Sequence, residues 1–418
     1  MKLLILGLNY APEKIGIAVY TTGMAEALAG MGHEVQVIAG RPYYPAWKIM
    51  EGHSALTYGR SIEEGVDVTR APHYIPKQPS GLKRLLHHSS FAASTFFPML
   101  WRALTWRPDV VITIAPSLIA APVAALAARA SGARSWLHIQ DFEVEAAFVT
   151  GLLNKDSGVG RTAEKFELRL LRQFDTVSSI SPQMCAKLIE KGVSGDRVLE
   201  FRNWSDLDVI RPLAAPSTYR TEWNITTHHV ALYSGNIANK QGIEIVVDAA
   251  RRLKHRTDLT FVVCGEGPNR ANLEAQAADL GNVRFHGLQP KERLSDLLGL
   301  ASIHLLPQIA GAADLVLPSK LTNMLASGRP VVATALQGTG LYDEVEGCGL
   351  IVAPEDGKAL SGAIATLLDD SALSTAYGKA ARQRAEQRWS KRAIMAGLEK
   401  RLHKASSATQ PATGTAES

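Results

Sequence analysis

Residues Gly311–Thr334 read GAADLVLPSKLTNMLASGRPVVAT, and the reading of this stretch decides the fold. Pro318 and Ser319 interrupt an extended run. Ser319 is a good N-cap for a helix whose apolar residues Leu321, Met324 and Leu325 recur at i, i+3 and i+4. Gly328 suits a left-handed C-terminal residue, and Pro330 forces exit into VVAT, a short buried strand. Loop, helix and strand in this order make one step of α/β structure. Lys320, Asn323 and Ser327 fall on the side of the helix away from the apolar stripe. A helix N-terminus carries roughly half a positive charge, too little to balance a diphosphate with about two negative charges; a first-turn lysine closes much of that gap. Spacing alone leaves a second reading equally open, with Lys320 a solvated surface residue and Asn323 a neutral helix position.

Outward from this stretch, the chain keeps alternating strands and helices. KLLILGLNY, a loop containing Gly16, a helix through VYTTGMAEALAGMG and the run HEVQVIAG form a strand, loop, helix, strand unit of a parallel sheet. The loop APEKIGIA stands at the carboxyl end of the first strand, where open α/β sheets bind ligands, but it lacks the dinucleotide fingerprint G-x-G-x-x-G. DVVITIAP, an Ala-rich helix and SWLHIQDFEVEAAF repeat the step, and they place His138, Asp141, Glu143 and Glu145 at or just past a strand end. That position favours Asp141 and His138 as acceptor-side groups, while Glu143 and Glu145 read as first-turn carboxylates of a helix. FDTVSSIS leads into a helix with Pro182 at its first position, and VLEFRNWSDLDVIRP closes the first half, with Pro216 in a Pro and Ala linker. In the second half HHVALYSGNIANKQG and LTFVVCGEGPNR each run from a strand into a Gly-bearing loop. A helix is expected over Asp356–Asp369, then a basic amphipathic helix over 388–404, then a polar low-complexity tail over 405–418 that cannot order itself.

The chain has 418 residues, 46% hydrophobic and 20% charged, enough for two buried cores of ordinary domain size. Cys185, Cys264 and Cys348 are far apart in sequence and show no metal-ligand spacing, so neither a zinc site nor a disulfide framework is expected, and a reducing cytoplasm is the natural compartment. Pro12 and Glu13 end the first apolar run too early for a signal peptide, and no apolar run reaches the roughly 18 residues of a spanning helix. From Lys77 to Pro108 the chain carries Lys77, Lys83, Arg84, Arg102 and Arg107, no acid, and the aromatics Phe91, Phe96, Phe97, Trp101 and Trp106. That is the composition of a segment lying against an anionic membrane face. No nucleic-acid module is visible, and nucleic acid is not an expected partner.

The pattern P-S-K-L, a spacer, then A-x-G-x-P-V-V-A resembles the nucleotide-sugar signature in the second domain of GT-B glycosyltransferases, specifically the large retaining family 4. The usual form has two glutamates eight positions apart, the second five residues before the Gly of G-x-P. Here Asn323 stands at the second place and Leu315, beside Asp314, at the first, so both glutamates are missing. The wording P-S-K-L-T-N-M-L-A-S-G-R-P is similar to the bacterial colanic acid and exopolysaccharide fucosyltransferase branch, and H-I-Q-D-F is similar to the H-x-Q-D loop of that branch. The family's G-R, spacer, K-G loop is represented by Gly235-Asn236 and Gln241-Gly242, with Lys240 one residue early. Gly265-Glu266-Gly267-Pro268 is similar to the family loop that approaches base and diphosphate by its backbone.

The resemblance implies an α/β GT-B fold of two Rossmann-like parallel-sheet domains facing a central cleft. Residues 1–204, joined by a crossing helix at 388–404, would bind the acceptor, and 205–387 would bind the nucleotide sugar. It implies a retaining, metal-independent transferase that needs no cofactor and moves a sugar, fucose or another hexose, from a nucleoside diphosphate sugar, GDP-linked, to a lipid-diphosphate-linked glycan. It places such an enzyme in the cytoplasm, peripherally on the cytoplasmic face of the inner membrane. Gly16, Gly235, Asn236, Lys240, Gly265, Glu266, Ser319, Lys320, Leu321 and Asn323 then contact the donor, while Asp141, His138 and Lys320 serve catalysis. Two alternatives stay open: a GT-B nucleotide-sugar epimerase, and a non-catalytic sugar-nucleotide or polysaccharide binding protein, which the missing charges would permit. A glycosidase would need two facing carboxylates, for which only the run from Asp141 to Glu145 qualifies.

Overall fold

Runs such as KLLILG, VVITIA and LTFVVC show no polar alternation, as expected of strands covered on both faces, and they form the centres of two sheets. In this computed structural model the chain is described over residues 1–14, 16–149, 152–238, 241–309, 318 and 320–407. It divides into two units, Met1–Arg202 together with the segment from Arg392, and Asn203–Lys391.

The first unit carries β1 (Lys2–Gly7), β2 (Glu34–Gly40), β3 (Gly59–Glu63), β4 (Val66–Ala71), β5 (Val110–Ala115), β6 (Arg134–Ile139), β7 (Thr176–Ser179) and β8 (Val198–Glu200). Their order is β3-β4-β2-β1-β5-β6-β7-β8, parallel throughout except for β3, which runs antiparallel to β4. Glu64 and Gly65, both at positive φ, make the two-residue turn between β3 and β4, matching the right-handed twist of a hairpin. The second unit carries β9 (His229–Ser234), β10 (Leu259–Cys264), β11 (Val283–His286), β12 (Ile303–Leu306), β13 (Val331–Thr334) and β14 (Gly349–Val352). Their order, β11-β10-β9-β12-β13-β14, is the doubly wound arrangement in which the chain reverses direction between β9 and β12. The carboxyl ends of those two strands therefore flank the crevice where such sheets hold ligands.

Two expectations are corrected. The basic stretch around residue 80 is one helix, Gly81–Trp106. Phe91 on it is fully buried, so only Phe96, Phe97 and Trp101 of its aromatics are strongly exposed. Pro98 inside this helix has no N–H for the Ser94 carbonyl, which instead accepts from the Tyr58 hydroxyl at 2.7 Å. The final helix begins at Lys391, not at 388, because the preceding helix Ser371–Arg388 stops where Trp389 turns into the core and Ser390 pairs with Ser205. The tail over 405–418 lies outside the described residues from 408 onward.

Trp389 is 1% exposed and packs with Ile210, Met324, Leu325 and Val331, the cluster that also seats the helix Lys320–Ala326. Trp389→Ala is expected to lower the stability of the second unit by about 3–5 kcal/mol, read from its urea transition.

Candidate functional site

The helix Lys320–Ala326 is only two turns long, and what fixes it is its far end. Leu321, Met324 and Leu325 are fully buried. Gly328 closes the helix at φ 69°, and the Arg382 guanidinium donates to the Ala326 carbonyl at 2.9 Å and the Ile210 carbonyl at 2.8 Å. Anchored there, the helix starts beside the carboxyl end of β9.

Lys320 reaches from that start over β9. Its Nζ lies 4.1 Å from the centre of the Tyr233 ring, and a Cβ on Gly235 would come within 3.2 Å of its Cδ. Gly235 also has φ 147°, so both its backbone and its neighbour demand glycine. The residue as a whole is half-buried, yet its Nζ has no solvent contact and no hydrogen-bond partner among the described residues. Burial alone pushes its pKa down to about 7. The ring face offsets part of the desolvation, by about 1–2 kcal/mol at a dry site. A cation so placed has glycine loops before it and no anion among the described residues.

The cradle is built from glycines. A Cβ on Gly265 would strike the Gly235 carbonyl at 1.9 Å, and one on Gly267 would strike the Ile237 carbonyl at 2.1 Å. The loops after β9 and β10 therefore touch backbone to backbone, joined by Ile237 N–H donating to the Glu266 carbonyl at 2.9 Å. Asn236 is exposed, and its own carbonyl accepts from the Tyr233 hydroxyl at 2.6 Å. Glu266 is an exposed partner of Arg270 at 2.7 Å, as a helix-start acid would be. Asn323 accepts from Ser205 Oγ at 2.7 Å through Oδ1, which orients its amide nitrogen. Leu321 sits in the core and its N–H donates to the Pro318 carbonyl at 2.9 Å, so it contributes placement of the helix and no ligand group of its own. Lys240 and Ser319, with Asp314 and Leu315, lie outside the described residues.

In the first unit Gly16, at φ 64°, precedes the helix Ile17–Gly30 with open space where a side chain would stand. His138, on β6, is 2% exposed and its pKa is driven by burial down to about 3, so it is neutral at physiological pH. Ser178 Oγ accepts from Trp136 Nε1 at 2.7 Å and lies 2.9 Å from His138 Nδ1. If the hydroxyl proton goes to Nδ1, the ring carries its hydrogen on Nε2, which is buried and unpartnered among the described residues. Asp141 follows at the bend after β6, half-buried. Its charge helps burial raise the Glu143 carboxyl to about 7. Glu143 accepts from the Ser117 and Leu118 amides, and Glu145 pairs with Lys187 and Lys191, so both acids are occupied in structural bonds.

The sequence reading passed over a second charged group, at the carboxyl edge of β1, β2 and β4. Glu13 is 4% exposed and accepts from the Tyr43 and Tyr44 amides and from Asn9, while Arg41 and Arg70 are each 3% exposed. The signal available was position: Glu13 falls in the loop after the first strand and Arg41 directly ends the second.

A glycosyl transferase 4-like domain matches residues 16–204 and the domain called glycosyl transferases group 1 matches 217–384. The chain is 44% identical over 406 residues to WcaI of Escherichia coli K12, a glycosyl transferase assigned by name to colanic acid biosynthesis, covering 94% of this chain and 98% of WcaI. Among solved structures, the sucrose-phosphate synthase of Thermosynechococcus elongatus superposes with TM-score 0.75 at 20% identity, covering 97% of this chain and 99% of that one. Anabaena HepE in complex with UDP and glucose superposes with TM-score 0.69 at 17% identity, covering 97% of this chain and all of HepE. At those identities the likeness is one of fold, and the fold is GT-B.

The folded protein binds fewer protons at Lys320 than the unfolded chain between about pH 7 and the ordinary lysine value of 10.5, so stability rises with pH across that window and the penalty is full below it. Lys320→Met is expected to stabilise the ligand-free protein at pH 6 by on the order of 1–3 kcal/mol, with the gain shrinking toward pH 10, measured by thermal melts across that range.

Proposed function

Because the chain belongs to the glycosyltransferases, with a 4-like domain followed by a group 1 domain, we propose that it transfers a hexose, fucose among the candidates, from a GDP-linked sugar to a lipid-diphosphate-linked glycan in exopolysaccharide biosynthesis, with retention at the anomeric carbon. The observation that carries the reading is the Lys320 ammonium, enclosed beside the glycine loops after β9 and β10 with no anion among the described residues. HepE, of the same fold, is described with UDP and glucose bound, and the relative WcaI is assigned to an exopolysaccharide pathway, which supports a nucleotide-sugar donor and that class of product.

The chemistry then runs as follows. The donor diphosphate takes the place opposite Lys320, whose charge is fully expressed once an anion arrives. As the bond between the anomeric carbon and the diphosphate oxygen breaks, negative charge grows on the leaving group, and a fixed ammonium in a dry site stabilises that change more than it stabilises the ground state. The acceptor hydroxyl bonds to the anomeric carbon and gives its proton to a departing phosphate oxygen. Gly235 and Gly265, whose N–H groups donate to the Cys264 and His286 carbonyls, admit close approach of the diphosphate and base beside Asn236. Glu266 stands at the rim of that loop, and Asn323, held by Ser205, donates its amide to a ribose hydroxyl. Lys240 and Ser319 would add a charge and a cap at the same place. On the first unit, Gly16 admits close approach of a ligand, while His138 through Nε2–H and Asp141 as acceptor orient sugar hydroxyls.

A peripheral place on the cytoplasmic face of the inner membrane is supported by the helix Gly81–Trp106. Leu82, Leu85, Leu86, Phe96, Phe97 and Trp101 are exposed along it beside Lys83 and Arg84, and among the described residues no helix is long and apolar enough to cross a membrane.

The transfer is tested with a panel of GDP and UDP sugars and a lipid-diphosphate glycan, scored by product mass; a GDP sugar is expected to give the extended glycan, and hydrolysis or epimerisation without product would reject the reading. Lys320→Ala is expected to cut turnover by about a hundredfold or more while leaving the fold intact by circular dichroism. Calorimetry of GDP at pH 8 in buffers of different ionisation enthalpy is expected to show uptake of close to one proton by the wild type and none by that variant, since Lys320 is largely neutral before binding. Phe97→Ser with Trp101→Ser is expected to weaken binding to phosphatidylglycerol vesicles about tenfold or more, measured by sedimentation.

A further inference from the structure

Arg41 leaves β2 at its carboxyl end and is 3% exposed. Its backbone N–H donates to His73 Nδ1 at 3.3 Å, which fixes the chain, but its side chain is unanswered: Nε and Nη2 have no solvent contact and no acceptor among the described residues. Burial and the like charge of Arg70 both push its pKa down. Arg70 stands on β4 opposite Ala39, one pair before the strand ends, and gives one guanidinium nitrogen to both oxygens of Glu63 at 2.9 Å. Glu63 is thereby engaged, and Arg70 Nη1 is buried with no hydrogen-bond partner among the described residues, its guanidinium lying over the Tyr10 ring. Glu13, the other buried acid nearby, is committed to the Tyr43 and Tyr44 amides and to Asn9.

Glu63 bonds to Arg70, and three buried guanidinium nitrogens, Arg41 Nε and Nη2 and Arg70 Nη1, have no acceptor among the described residues. A buried guanidinium with unanswered donors works against folding. The chain nevertheless builds it with care. Glu13 pins the loop that follows Arg41, and the Gly59 backbone lies so near that a Cβ there would stand 3.6 Å from Arg41 Nη1. The position is the carboxyl edge of a parallel sheet, where ligands bind. The forked guanidinium selects an oxyanion and fits phosphate in particular.

We propose that Arg41, backed by Arg70, is a phosphate-binding site of the first unit that receives the diphosphate joining the acceptor's lipid to its glycan. The identification of the acceptor rests on the transferase reading above; the phosphate site itself does not. Arg41 holds the phosphate by two parallel N–H bonds, and Arg70 Nη1 adds a third. The site separates acceptors that carry a phosphate from neutral glycans of the same sugar sequence.

The direct test is calorimetry with inorganic pyrophosphate on the Lys320→Ala protein, in which the donor cation is gone, compared with the same protein also carrying Arg41→Met. The first is expected to bind, and the second at least about tenfold more weakly, the size of a lost charge-assisted bond pair. Arg41→Met alone should melt higher than the wild type, because it removes an unpaired buried charge; a merely structural arginine would melt lower. Undiminished GDP affinity certifies that the variant is folded. In turnover assays Arg41→Met should raise KM for a lipid-diphosphate glycan about tenfold or more with kcat little changed, leave a neutral alkyl glycoside unaffected, and bind phosphatidylglycerol vesicles like the wild type. Loss of vesicle binding with an unchanged KM ratio would assign the phosphate to a membrane headgroup and overturn the acceptor role. Equal pyrophosphate binding with and without Arg41 overturns the site altogether. If no glycan is ever extended but pyrophosphate binding still depends on Arg41, the transferase reading fails and the site survives.

Discussion

One desolvated ammonium governs the second unit. Lys320 Nζ is shut away from water; among the described residues it meets the face of Tyr233 and no hydrogen-bond partner, and burial lowers its pKa to about 7. A buried charge without a partner opposes folding by several kcal/mol, so the surroundings must over-determine its place. They do so through the apolar side of a two-turn helix, the Arg382 bond to the Ala326 carbonyl, and a glycine at 235 that leaves no side chain in the way. The free energy spent in holding the charge dry is recovered when an anion enters. A lysine in water would meet the same anion with its hydration shell intact and stabilise it far less.

The glycine loops show why the fold suits that task. Strand order in the second unit reverses between β9 and β12, which opens the carboxyl edge beside Lys320. Gly235 and Gly265 touch through their backbones, so the loops after β9 and β10 present peptide groups rather than side chains at that edge. A diphosphate is rich in acceptor oxygens, and loops without side chains that let it approach one cation suit it. The first unit repeats the principle with arginine. Its carboxyl edge holds Arg41 and Arg70 buried with fewer acceptors than donors, and His138 with a buried ring nitrogen unanswered.

The parallel architecture was legible because uninterrupted aliphatic strands and Gly-terminated helices are local signals. Gly328 at the end of its helix and Pro182 at the start of another were read from single residues, and both stand where local backbone chemistry puts them. What depended on distant partners was not legible. Nothing around Phe91 in the sequence distinguishes it from Phe97, yet one is in the core and the other exposed. The Glu64-Gly65 turn was a readable hairpin signal that went unused. Arg41 and Arg70 look like surface arginines until β2 and β4 are paired and the loop held by Glu13 covers them. Likewise Lys320 was located by its helix, but that its ammonium lacks a partner follows only from the packing of β9 beneath it.

The most direct measurement is a crystal structure of the protein soaked or grown with a GDP sugar. Phosphate oxygens within hydrogen-bond distance of Lys320 Nζ, lying across the Gly235 and Gly265 backbones, are the predicted result. A diphosphate bound elsewhere, with Lys320 still facing Tyr233 alone, would contradict it.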